Sequence, residues 1–128
     1  MNRARIARGA AARLSGRRGE IVAALWLVAK GYQIIGFRLR TPQGEIDLLA
    51  RRGGVLAAVE VKARKTIESA LEAVGPSQRQ RLRRAMAAFA GHRSSLRGLR
   101  HRLDLIALAP GRFPRHIPDA WREDGESG

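Results

Sequence analysis

The chain of 128 residues contains no cysteine, which excludes a disulfide framework and any thiolate metal site. Its longest apolar run, Ile21 to Ala29, is nine residues, whereas a helix needs about 20 to span a bilayer. A cytoplasmic protein with no membrane partner is therefore expected. Acids are scarce: 11 stand against 25 basic residues, for a net charge of +14. Four of them (Asp119, Glu123, Asp124, Glu126) crowd the last ten residues, so seven remain for the body of the chain, and three of these are Glu20, Asp47 and Glu60. Lysine is rarer still, 3 residues against 22 arginines. Arginine suits phosphate because its planar fork donates two hydrogen bonds at once. The composition points to a polyanionic partner, nucleic acid ahead of an anionic membrane surface or an acidic protein. The length suits one domain with a real core.

Two short segments concentrate the chemistry. Gly44-Glu45-Ile46-Asp47 and Glu60-Val61-Lys62 leave twelve residues between Asp47 and Glu60. Each sits in a run that reads as a strand, Glu45 to Ala50 and Val55 to Lys62, linked by Arg51-Arg52-Gly53-Gly54 as a hairpin turn. Side chains alternate along a strand, so Glu60 and Lys62 share a face. A hairpin in register brings Asp47 to the same end. Asp47 and Glu60 supply hard oxygen ligands of the kind Mg²⁺ prefers, or Mn²⁺ in its place, and the Val61 carbonyl offers a third. Lys62 would orient the attacking water or stabilise charge in the transition state of phosphodiester hydrolysis.

The coarse order of elements is α-β-β-β-α-β, an α/β fold with a mixed sheet. Periodicity predicts a helix over Arg17 to Lys30, capped by Ser15, with Ile21, Leu25 and Val28 as its apolar face and Gly31 as its stop. The strand Gln33 to Arg40 follows, turned back by Thr41-Pro42-Gln43-Gly44. Arg64 to Gly75 reads as a mobile or partly ordered connection. Ser77 and Gln80 form a capping-box pattern for a helix to Ala90, with the stripe Leu82, Ala85, Met86 and Phe89. Leu103 to Leu108 is the last strand, returning parallel to the sheet. The organisation expected is a flexible basic arm at 1–15, which also has the look of a transit peptide, a nuclease-like domain at 16–110, and a partly docked tail at 111–128 with little regular structure.

That order is the core arrangement of the restriction-endonuclease-like, or PD-(D/E)XK, nucleases. The blocks Gly16-Arg17-Arg18-Gly19-Glu20, Gly44 to Ala50, Val59-Glu60-Val61-Lys62-Ala63-Arg64 and Arg102-Leu103-Asp104-Leu105 resemble, in order, those of the YraN-like family of small bacterial proteins related to archaeal Holliday junction resolvases. Gln78 stands where that family often carries a lysine. The resemblance implies a Mg²⁺-dependent endodeoxyribonuclease acting on structured or branched DNA, with Glu20 joining Asp47, Glu60 and Lys62 as catalytic residues. It also implies a homodimer, because two strands must be cut symmetrically. Arg17, Arg18, Arg64, Arg79, Arg83 and Arg84 are the candidate phosphate contacts.

Blander readings stand beside these. Glu20 is also what the first turn of any helix favours, and Glu60 with Lys62 is also a plain ion pair on an exposed strand. A non-catalytic nucleic-acid binder on a nuclease fold is the alternative to the enzyme. Asp104 is expected to be structural, paired with Arg100 or Arg102. His92, His101 and His116 lack ligand spacing and read as surface or loop residues. Trp26 reads as core, and Trp121 as an anchor for the tail.

Overall fold

The computed structural model describes residues 16–122; the arm, Ser15 and the last six residues lie outside them. Helix α1 spans Gly16–Ala29. Its stop is a Schellman closure: Gly31, at φ +92°, donates its N–H to the Val28 carbonyl, and Tyr32 donates to that of Leu27. The chain then enters β1 (Gln33–Thr41), β2 (Gly44–Arg52) and β3 (Val55–Ala63), an antiparallel meander. Two short turns hold its register. At the first, the Thr41 hydroxyl accepts from the Gln43 and Gly44 N–H groups, each at 3.1 Å. At the second, Gly53 takes φ +57°, the left-handed conformation a tight hairpin needs.

Helix α2 (Ile67–Glu72) lies where a mobile or partly ordered connection was expected. The missed signal is Thr66, whose side chain caps the helix by accepting from Ser69 N at 3.1 Å while Ala70 is buried beneath it. Helix α3 (Pro76–Gly91) starts with Pro76 in its first turn and Gly75 at the cap position. Ser77 is therefore inside the helix, because the fixed φ of proline is preorganised for the first helical position. Strand β4 (Arg100–Leu108) runs parallel to β3, and β5 (Arg115–Ile117) pairs antiparallel with β4. The resulting sheet has the order β1-β2-β3-β4-β5. It is the mixed α/β sheet, flanked by helices, of a nuclease-like core. Among the described residues no helix is long and apolar enough to cross a membrane.

Beyond Pro110 the backbone is more regular than composition suggests. Ala120 N–H donates to the Leu103 carbonyl, and Trp121, buried, donates its ring N–H to the Leu71 carbonyl at 3.2 Å.

Helix α1 presents a different face from the expected one. Glu20, Ala23, Ala24 and Leu27 face the sheet, while Ile21, Leu25 and Val28 are 47%, 65% and 54% exposed. The helix is apolar nearly all round, so periodicity alone cannot choose its inner face. Packing chooses: Gly19, Ala23 and Ala24 let the helix approach closely, and Leu27 fills the gap against Leu48, Val59 and Ile106. The other sheet face packs on α3 through Leu82, Ala85 and Met86 against Ile46, Leu49 and Leu105.

Strand β2 twists where the chemistry sits. Ile46 packs on the α3 side and Leu48 on the α1 side, although residues two apart on a strand share a face. The turn falls at Asp47. Opposite it, between the register pairs Phe37–Leu48 and Leu39–Ile46, Arg38 adopts φ +47°, a conformation a non-glycine residue seldom takes.

Candidate active site

Glu60 lies in the second half of β3, 3% exposed, just beyond the last β2–β3 pair, Leu48–Val59, with Asp47 next to that pair on β2. The two carboxyls line one hollow and act on each other electrostatically. Burial pushes Glu60 up to about 8, helped by the Asp47 charge and opposed by Lys62. Burial also raises Asp47, against the lowering effects of the Val61 N–H and of Lys62. A buried acid this close to a half-buried one cannot ionise beside it cheaply, so each raises the cost of charging the other. Asp47 Oδ2 accepts from Val61 N–H at 3.3 Å. A strand residue points its N–H and C=O toward the same neighbour, so the Val61 carbonyl is directed to the side of Asp47. Lys62 Nζ is 3.9 Å from Glu60 Oε2.

Because β2 turns at Asp47, this residue borders two hollows. One, of about 230 Å³, is lined by Gly44, Glu45, Glu60, Gln78, Arg81 and Leu82 as well as Asp47. The other, of about 410 Å³, has Glu20, Arg38, Glu45, Lys62 and Arg64 on its walls, with Gly16 at its edge. Glu20 thus reaches the same cleft, from the buried face of α1, but its charge is already engaged. Arg38 Nε donates to both of its oxygens, at 2.8 and 3.1 Å. The Glu20 hydrogen bond, with its charge, makes Arg38 harder to deprotonate. Asp47, Glu60 and Lys62 come together, then, and Glu20 stands at the rim. Among the described residues no three His, Asp or Glu side chains converge closely enough to enclose a metal ion.

The donor set nevertheless fits a hard divalent cation. Asp47 and Glu60 offer paired carboxylate oxygens, and Val61 a carbonyl. Two carboxyls that repel each other when alone form a pair that a cation can neutralise.

The arginines divide into two groups. Arg64 is exposed on the wall of the larger hollow, Arg17 and Arg18 are exposed on the first turn of α1, and Arg84 is exposed on α3. Arg79 and Arg83 turn to Trp121 instead: the Arg79 guanidinium lies 6.0 Å from its ring centroid, and Arg83 donates to its carbonyl at 2.9 Å. Arg81, not singled out by the sequence, faces the acidic pair, as does Gln78. All these arginines lie off the apolar stripe of α3, and periodicity cannot tell which flank meets the end of the sheet. Arg38 and Glu45 were missed as well. Their motif neighbours were visible, but the backbone turn that aims them was not.

Asp104 is structural. It is fully buried on β4, and Arg102 donates to both its oxygens at 2.7 Å. His116 Nε2 lies 2.8 Å from Oδ2, and Asp119 N–H donates to Oδ1. Burial pushes this carboxyl up, but His116, Arg102 and the Asp119 N–H together hold it below the usual range. His116, expected at the surface, has a side chain only 1% exposed, because β5 carries it onto Asp104. Arg100 is not a partner; it is exposed. Trp26 is half-buried rather than core and stacks obliquely on the exposed Phe113.

Residues 19–108 match the family described as "Uncharacterised protein family UPF0102". The chain belongs to the UPF0102 family. It is similar to a UPF0102 protein of Caulobacter vibrioides (strain NA1000 / CB15N), 69% identical over 117 residues that cover 91% of this chain and 94% of that one. A UPF0102 protein of Paramagnetospirillum magneticum is 49% identical over 118 residues, covering 89% and 92%. One from Sinorhizobium fredii is 43% identical over 106 residues, covering 83% and 87%. The matched span in this UPF0102 chain includes Glu20, Asp47, Glu60 and Lys62, and ends at the last residue of β4.

Proposed function

We propose that this UPF0102 protein is a metal-dependent endonuclease acting on structured or branched DNA in the cytoplasm. One observation carries the reading: the buried Glu60 carboxyl beside the half-buried Asp47, with Lys62 3.9 Å from Glu60, between hollows whose walls carry Arg38, Arg64 and Arg81. Purely structural sites rarely set a buried acid beside a second one, because the repulsion raises the energy of the folded state. Active sites do so routinely.

Asp47, Glu60 and the Val61 carbonyl would hold Mg²⁺ or Mn²⁺. What the bound cation supplies is activation of water and neutralisation of charge on the phosphate and leaving oxygen. The chain's own groups do the rest. Glu60 would hold the cation as a carboxylate, and Lys62, 3.9 Å away, favours that charged form. Lys62 then donates to the attacking water or to a phosphate oxygen. Arg81 on one side, and Arg17, Arg18 and Arg64 on the other, hold the flanking phosphates by position and charge, without reading bases.

A non-catalytic nucleic-acid binder is the second reading, favoured by the engagement of Glu20 with Arg38 rather than with the acidic pair. A cleavage assay on linear, single-stranded, flap and four-way DNA with Mg²⁺, Mn²⁺ or EDTA separates the two. Metal-dependent nicking of any of these supports the enzyme, and its absence from all of them favours the binder. In the enzyme reading a homodimer would pair two sites for two strands. The exposed Ile21, Leu25 and Val28 give such a dimer an apolar surface.

A further inference from the structure

The largest hollow among those described here is not at the acidic pair. It has a volume of about 460 Å³ and lies between the β1–β2 turn and the second half of α3, walled by Arg40, Thr41, Gln43, Phe89, His92 and Arg93. Its lining carries no acid. Phe89 leaves the core stripe here and is half-buried, with the Arg93 guanidinium 4.2 Å from its ring centroid. Gln43 Oε1 is buried and accepts no hydrogen bond from any described residue. A buried acceptor without a donor is costly, and because Gln43 lines the cavity, a turn of its side chain presents that oxygen to a ligand N–H. Arg40, on the other wall, is almost wholly exposed and pairs with the exposed Glu45 at 3.6 Å, a contact that a phosphate can replace.

A flat ring surface, a guanidinium stacked on it, an acceptor awaiting an N–H and an outer cation are the features that recognise a nucleobase with its phosphate. An acidic peptide would use the cations but not the stack or the acceptor.

This hollow adjoins the acidic cleft. Its wall at Gln43 continues directly into Gly44, which lines the acidic side. There the turn leans on α3, since a Cβ placed on Gly44 would lie 3.8 Å from that of Arg81. From Arg81 to Phe89 is eight residues of helix, about 12 Å along its axis. A strand with its phosphate at Asp47 and Glu60 can therefore lay a neighbouring base near Phe89.

We propose that the hollow between the β1–β2 turn and α3 is a base pocket that takes one unpaired nucleobase of a single-stranded segment. The base lies against the Phe89–Arg93 stack, one of its N–H groups donates to Gln43 Oε1, and its phosphate meets Arg40. The pocket rests on the nuclease reading of the adjoining cleft and narrows its substrate to DNA with unpaired bases, since a base within a duplex cannot enter.

The test uses the full chain in EDTA, so that binding is read without cleavage. Three ligands of equal length are compared: a single-stranded oligodeoxynucleotide, an abasic strand of the same charge, and a duplex. Wild-type protein should bind the base-bearing strand about 5-fold or more above the abasic one, as a single stacked base allows. Gln43→Ala, Phe89→Leu and Arg93→Ala should each shrink that ratio toward one, while duplex affinity stays within about 2-fold. Arg93 is exposed, so its variant keeps the fold even if Phe89→Leu loosens the core. Equal binding of base-bearing and abasic strands by wild type overturns the pocket, as does an unchanged ratio in all three variants. A change of oligomeric state in these variants, with the ratio intact, also overturns it and assigns the hollow to a second copy of the chain. Cleavage is scored separately with Mg²⁺: its loss from wild type removes the nuclease reading and leaves the base preference standing.

Discussion

Arg38 Nε lies 2.8 Å from Glu20 Oε1, joining the one positive-φ arginine among the described residues to the one acid buried on α1. The arginine sits in a cleft it shares with Asp47, Glu45 and Lys62. It is the residue placed to hold Glu20 away from the acidic pair, and moving it would let Glu20 join them.

Arg38→Met should therefore lower the melting temperature in EDTA, because Glu20 is left buried without its partner. Mg²⁺ should raise the melting temperature more in this variant than in wild type, since a third carboxylate strengthens the site and ligand binding stabilises in proportion to affinity. An equal Mg²⁺ response in both proteins would remove Glu20 from the metal site.

The acidic pair sets a pH dependence of unusual sign. Glu60 is raised from its ordinary value of 4.5 to about 8, and Asp47 is raised as well. The folded state therefore binds more protons than the unfolded one. The stability this contributes is fully present below about 4.5 and is lost as pH rises through about 8. Asp104, held low, acts in the opposite sense and only in acid. Thermal melts in EDTA should fall between these values, more steeply for wild type than for Glu60→Gln. Added Mg²⁺ should offset the fall most at the alkaline end, where no proton has to be displaced. Parallel curves for wild type and Glu60→Gln would show that Glu60 titrates normally.

Asp47→Asn and Glu60→Gln should each abolish metal-dependent cleavage while leaving DNA affinity intact or improved, since each removes negative charge near a phosphate. Lys62→Ala should slow cleavage by about 10² to 10³, the usual cost of losing one charge-stabilising donor. Its Mg²⁺-dependent shift in melting temperature should stay at the wild-type value. Near wild-type cleavage by either carboxyl variant would move the chemistry elsewhere. A Lys62→Ala variant that is merely less stable would favour the plain ion pair.

Salt titrations should separate the two groups of arginines. Replacing Arg17, Arg18 and Arg64 with Ala should flatten the log–log slope of DNA affinity by about 0.9 per lost duplex contact. Arg79→Ala with Arg83→Ala should instead lower the melting temperature, because both arginines hold Trp121. A slope changed only by the second pair would reverse this assignment. Deleting residues 1–14 removes four arginines, so an unchanged slope would exclude the arm from the footprint.

The apolar flank of α1 offers a separate check. Leu25 is 65% exposed, so Leu25→Glu should leave the monomer folded while weakening self-association. Sedimentation velocity at several concentrations reads this directly. A wild-type chain that stays monomeric at every concentration would dispose of the dimer.

Much of the site was legible from spacing alone. Glu60 and Lys62 share a face because strands have period two, and Asp47 comes beside Glu60 because Gly53-Gly54 closes a short hairpin. The inner face of α1 was not legible, because a helix apolar on every side has no preferred face until a sheet selects the residues small enough to approach it. Helix α2 and strand β5 were missed for a related reason: each is too short to carry a period, and each is held by contacts distant in sequence.

Local periodicity and turn chemistry thus determined the order of the elements, the Asp47–Glu60–Lys62 constellation and the basic character of its surroundings. Only the tertiary structure decided that Glu20 faces inward onto Arg38, that Arg79 and Arg83 clasp Trp121 while Arg81 meets the acids, and that Gln43 and Phe89 share a hollow. These depend on the twist of β2 at Asp47 and on the angle at which α3 crosses the sheet. Neither is encoded in any window of neighbouring residues, because both result from side chains far apart in sequence packing to a common density.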